Sequence, residues 1–151
     1  RFVLLEPTAL AAIEAPLAAL GGEASLLAAG IGDLPDAAEA SALIGGASLQ
    51  PPAPVHLGTA ELEGGDLAIS WVRRSRQGWA WLDRSDTPLG EETERYRIEI
   101  TGPGFLRAAT VASPYYLYGA AERLADGGGT ITVSVRQIGT FAASRAAEIS
   151  L

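Results

Sequence analysis

Few residues in this 151-residue chain can do chemistry, and most of them fall between 56 and 118. His56 is the only histidine. A lone imidazole can act as a general base, but only beside a nucleophile, and no Ser here has the local sequence of one. His56 therefore reads as a packing residue. The acidic stretch 83–94 is the next candidate. Asp83, Ser85, Thr87, Glu91 and Glu94 fall on positions 1, 3, 5, 9 and 12 of a twelve-residue calcium loop, and Asp86 adds a further carboxylate. Position 6 is Pro88, where that loop needs glycine for its turn, and a strand pattern follows. The segment reads as a solvated acidic loop with no bound metal. A calcium site on Asp83, Asp86, Glu91 and Glu94 is the weaker alternative. Glycoside hydrolysis would need two carboxylates facing each other across a cleft, and here the acids are scattered. No catalytic residue and no cofactor are expected.

Binding is the better-supported chemistry. Trp79 and Trp81 lie two apart on the long connection 75–93, so in extended backbone both rings face one side. Such a pair can stack on a sugar ring, anchor a protein partner, or fold back over the edge of a core. Tyr115, Tyr116 and Tyr118 form a second aromatic group. Alternation puts Tyr116 with Tyr118 on one face and Tyr115 with Leu117 on the other, and a core-facing phenol would reach a backbone carbonyl. Tyr115 joins Trp79 and Trp81 as a candidate contact residue. Arg73, Arg74 and Arg76 form a basic cluster that Glu91, Glu92 and Glu94, at the far end of the same connection, can neutralise as surface pairs of little energetic weight.

The elements that must position these residues are strands. Leu67–Val72 alternates, with Leu67, Ile69 and Trp71 on one face. Residues 95–100 place Tyr96, Ile98 and Ile100 inward, and 130–135 do the same with Ile131 and Val133. A period of two, rich in β-branched and aromatic side chains, marks half-buried antiparallel strands. The core is expected at Trp71, Tyr96, Ile98, Ile131 and Val133. Glycine-rich turns at 64–66, 102–104 and 126–129 separate the runs. Short strands so punctuated over about a hundred residues argue for a β-sandwich.

Pro51, Pro52 and Pro54 form a seam that no helix or central strand can cross. Charge shifts there too: residues 1–57 hold one Arg and six acids, and 58–151 hold ten Arg and twelve acids. The expected organisation is a small N-terminal β module over 1–50 and the sandwich over 51–151. In the first part, 2–5 and 23–31 read as strands, with a short helix near 16–20. The fold class is all-β.

Composition excludes further classes. The chain has no Cys, so disulfides, thiolate nucleophiles and thiolate metal sites are absent. Net charge −7 argues against a nucleic-acid partner. No apolar run reaches the length of a membrane span, and no secretion signal is visible. Met is absent, including at position 1, which reads as the mark of a piece of a longer polypeptide.

Two resemblances follow from these motifs. Pro54-Val55-His56-Leu57, Ser70-Trp71, Tyr96 to Ile100, Ser113 to Tyr118 and Ile131 to Arg136 resemble, in that order, a fibronectin type III domain. More specifically, Phe2 to Leu5, Leu49 to Leu57, Gly65 to Arg74, Pro88 to Glu92 and Glu94 to Ile100 resemble the C-terminal part of the large tail-tip (baseplate hub) protein of alphaproteobacterial gene transfer agents. Related siphophage tails carry similar host-specificity, TIM-barrel-containing proteins. That resemblance implies a non-enzymatic structural and adhesion module at the tail tip of a phage-like particle. Its partners would be other tail and baseplate proteins in an oligomeric assembly, and a host-surface glycan or protein. The alternative is a carbohydrate-binding accessory module of a secreted or surface protein.

Overall fold

The computed structural model describes residues 15–28, 38–77 and 87–151. Two compact units make up the chain, 1–46 and 47–151. The second begins before the prolines: a 3₁₀ turn at Ala47–Leu49 leads in, and Gln50 Nε2 donates to the Ala143 carbonyl at 2.6 Å.

In the first unit, a 3₁₀ turn at Leu17–Ala19 precedes an antiparallel pair, β1 (Glu23–Ala28) and β2 (Ala38–Leu43). Leu26, Leu27 and Leu43 are exposed, and none of the described residues of this unit is buried. The strand expected over 2–5 lies outside the described residues, as do positions 29–31 of the one expected over 23–31.

The second unit is a sandwich of two antiparallel sheets. One sheet has the order β3-β4-β7, from β3 (Val55–Glu61), β4 (Leu67–Val72) and β7 (Tyr115–Tyr118). The other runs β6-β5-β8-β9, from β5 (Tyr96–Gly102), β6 (Phe105–Val111), β8 (Thr132–Gln137) and β9 (Ala147–Ser150). One six-residue helix, α1 (Ala120–Ala125), lies in the connection between β7 and β8.

Alternation decides which residues meet. Leu67, Ile69 and Trp71 from β4 are buried against Tyr96, Ile98 and Ile100 from β5 and Val133 and Val135 from β8. Ile131 and Tyr118 close the same cluster. Trp71 and Tyr96 meet edge to face, with centroids 5.1 Å apart at 72°, the arrangement that the ring quadrupoles favour. Each such side chain contributes on the order of 1.5–3 kcal/mol through removal from water. The β5–β6 hairpin turns on Pro103-Gly104: the proline fixes φ and Gly104 takes φ 85°, a value that disfavours any side chain. In β3 the register slips by one residue between Val55 and Gly58, and His56 takes φ 52° in that bulge. The histidine is exposed, so in place of the expected packing role it occupies the strained position of the bulge.

Candidate functional site

The long connection between β4 and β5 is where binding chemistry was expected, and its stem is built from charged side chains. Arg73 leaves β4 and donates to the Thr87 carbonyl at 2.8 Å and the Pro88 carbonyl at 3.2 Å. Arg76 donates through Nε to Glu91 Oε1 at 2.8 Å and through its terminal nitrogen to the Gly90 carbonyl at 2.8 Å. The other Glu91 oxygen accepts from the Thr140 amide at 2.8 Å, and the Glu92 amide donates to Thr140 Oγ1 at 3.1 Å. Two arginines thus hold the outgoing and returning arms together, and Glu91 fastens both to the β8–β9 connection. Space is tight there. A Cβ on Gly139 would sit 2.8 Å from Pro51 Cδ and 2.9 Å from Glu91 Oε2.

Of the stretch 83–94, expected as a solvated loop with weak surface pairs, 87–94 are described, and there Glu91 departs from that expectation while Glu92 is exposed. The Glu91 side chain is only 1 % exposed. Glu94 lies apart from it, accepting from the Tyr96 phenol at 2.8 Å with Arg73 Nε at 4.0 Å. Both carboxylates are engaged by protein donors. Asp83 and Asp86 lie outside the described residues, as do Trp79 and Trp81. Arg74 is exposed.

Burial alone would raise the Glu91 pKa, but the Thr140 amide and the Arg76 guanidinium outweigh it, and the net shift is downward. A carboxylate whose folded pKa is lowered stabilises the fold above its unfolded value and loses that contribution as pH falls through the folded one. The brace should therefore hold at neutral pH and weaken as pH falls through the ordinary carboxylate range and on below it, where the lowered Glu91 finally protonates. We expect Glu91→Gln to lower the melting temperature at pH 7 and to flatten its fall between pH 6 and pH 3. Thermal melts across that range check this; an unchanged acid slope would show that Glu91 is not the sensor.

Beside the stem opens a cleft of about 410 Å³ lined by Trp71, Val72, Arg73, Thr87, Glu94 and Pro114. Tyr115 follows Pro114, pairs across from Ser70 and is 45 % exposed. Val72, also exposed, shares its outer face of the sheet. The structure thus brings Tyr115 next to the stem that carries the tryptophan segment.

The opposite end of the sandwich holds a group that sequence reading missed. Arg107 on β6 clamps Asp126 with two bonds, 2.8 and 3.1 Å, and reaches Glu122 at 2.9 Å. The Tyr118 phenol donates to Asp126 at 2.7 Å, which corrects the expected backbone carbonyl partner. Asp66 receives the Ala120 amide at 2.7 Å and so ties α1 to the β3–β4 turn. Arg107 and then Tyr118, by hydrogen bonding, lower the Asp126 pKa, while burial and Asp126 push Tyr118 up to about 12. The available signal was the pattern Ala-Ala-Glu-Arg-Leu-Ala-Asp-Gly, a helix ending in a glycine cap. A second cleft, about 350 Å³, opens nearby over Leu67, Phe105, Tyr118 and Ile131, with Glu61 and Arg123 on its rim.

Against known proteins, no protein-family model matches the sequence, and no curated protein matches it. Three solved structures are similar to it. One described as a myokine is 16 % identical, covers 67 % of this chain and 95 % of its own, and has a TM-score of 0.45. A mutant of FN3tt is 14 % identical over 67 % of this chain and 93 % of its own, with a TM-score of 0.43. Domains d3–d4 of the rat CD45 extracellular region are 8 % identical over 100 % of this chain and 74 % of their own, with a TM-score of 0.49. By its own strands and their pairing, the chain is an all-β protein of antiparallel sheets.

Proposed function

We propose that this chain is a non-enzymatic structural and adhesion module of a phage-like tail tip of the gene-transfer-agent type, contacting neighbouring tail proteins or the host cell envelope. The tail-tip part of the reading rests on the sequence motifs between 49 and 100. The adhesion part rests on one observation: the arms flanking the tryptophan segment are braced by Arg73, Arg76 and Glu91, beside the exposed Tyr115. Charged side chains spent on holding a loop stem make a rigid platform for contact, which lowers the ordering cost of binding. Surface complementarity would do the work, with aromatic side chains as anchors.

Binding of this chain to host cells and to a glycan array, with Trp79→Ala, Trp81→Ala and Tyr115→Ala, tests the reading. We expect each tryptophan substitution to weaken cell binding about tenfold or more, equivalent to roughly 1.4 kcal/mol. Absence of binding, or binding that survives both tryptophan changes, would remove adhesion and leave scaffolding. Binding to isolated glycans that tracks the tryptophans would favour the carbohydrate-binding accessory module instead.

A further inference from the structure

A sandwich with open sheets has edge strands, and three of the four here carry a device against pairing. β3 follows the prolines and is broken by the His56 bulge. β7 has four residues and follows Pro114, which has no N–H to donate. β9 also has four residues and runs beside β3. β6 differs. Its seven residues keep unbroken register with β5 from Phe105 to Val111, with no proline, lysine or bulge. Among the described residues, its backbone makes no hydrogen bond outside that pairing. Its outward row, Leu106, Ala108 and Thr110, is exposed and uncharged, and Leu106 is 65 % exposed. An inward charge on an edge strand normally guards it, but Arg107 is neutralised within the domain by Asp126 and Glu122.

We propose that β6 pairs antiparallel with β6 of a second copy, joining two four-stranded sheets into one of eight. The occupant follows from the sequence of the strand. With Ala108 on the two-fold axis, Leu106 faces Thr110, Arg107 faces Ala109 and Phe105 faces Val111. The only charge of the strand thus meets a methyl group rather than its own copy. Such an interface is isologous and closed, so it stops at a dimer. One strand pair buries less than the roughly 1,200 Å² of a standard stable interface, so the dimer is weak and concentration-dependent. This inference stands apart from the adhesion reading, since β6 and the stem lie on different elements.

Sedimentation of the 151-residue chain from about 10 µM to 1 mM, with Leu106→Lys/Ala108→Lys, tests it. Lysine at 108 would face itself across the axis. Both side chains point to solvent, so the melting temperature of the variant should stay close to that of the parent. The expected result is a dimer that grows with concentration, weakened at least tenfold in the variant. In the parent, alternate amides within 105–111 should gain hydrogen-exchange protection as concentration rises. A chain that stays monomeric to 1 mM overturns the proposal. So does a dimer untouched by the two lysines, or one that forms without new protection in 105–111.

Discussion

Replacing Trp71 by alanine should lower the unfolding free energy of the sandwich by about 3–5 kcal/mol, the usual loss for a large aromatic removed from a core. Trp71 is 4 % exposed, lies in the main cluster and meets Tyr96 edge to face. The truncation removes that contact and leaves a cavity between rigid sheets that cannot close over it. Domains are stable by only about 5–15 kcal/mol, so this single change consumes a large share. Trp71→Phe should cost much less. It keeps an aromatic ring at the same place against Tyr96 and gives up only part of the buried area. Denaturant unfolding followed by circular dichroism avoids the signal of the other tryptophans. A loss below about 1 kcal/mol for Trp71→Ala would show that the core is organised around other residues.

Gln137→Met should act in the opposite direction, stabilising the sandwich by about 1–3 kcal/mol. Gln137 is fully buried at the end of β8, and among the described residues neither its amide nitrogen nor its amide oxygen has a partner. An unpartnered buried amide has lost its water without compensation, whereas methionine has similar length and no such group. Its backbone bonds would survive the change: the Gln137 amide donates to Ser144 Oγ at 2.9 Å and its carbonyl accepts from the Ser144 amide at 2.8 Å. For a domain of this size, 1 kcal/mol moves the melting temperature by several degrees, so calorimetry resolves the effect. A drop on substitution would mean that the amide is satisfied in solution.

These two positions illustrate what the sequence reveals and what it hides. Trp71, Tyr96, Ile98 and Val133 are legible because a strand has a period of two and their neighbours on the same strand are polar, small or charged. Gln137 obeys the same alternation, two residues beyond Val135, but its polarity argues for the surface. In the sheet it pairs with Tyr96, which is fully buried, and the ladder carries both to the inner face. α1 was missed for a related reason. Leu124 is 83 % exposed, so no apolar face marks the helix. It is tied instead by Asp66, Glu122 and Asp126 to groups far away in sequence, and such pairings have no local period. Glu91 shows the same limit in the candidate site. Acidic neighbours suggest a wet loop, while its actual surroundings come from Arg76 and from Thr140, 49 residues downstream.

The arginine brace also changes what the connection between β4 and β5 costs as a polymer. Unbraced, that connection closes a loop of 23 residues, 73 to 95. Pinned at Arg76 on the outgoing arm and at Thr87 on the returning one, the span left to close is the ten residues 77–86. Loop-closure entropy varies with the logarithm of length, so the difference is only about 0.7 kcal/mol. The brace is made of residues outside the span, so it holds the two ends together whatever sequence lies between them. A change of a few residues in the length of that span should then alter the cost of closing it by only about tenths of a kcal/mol, leaving the sandwich's own stability to its core.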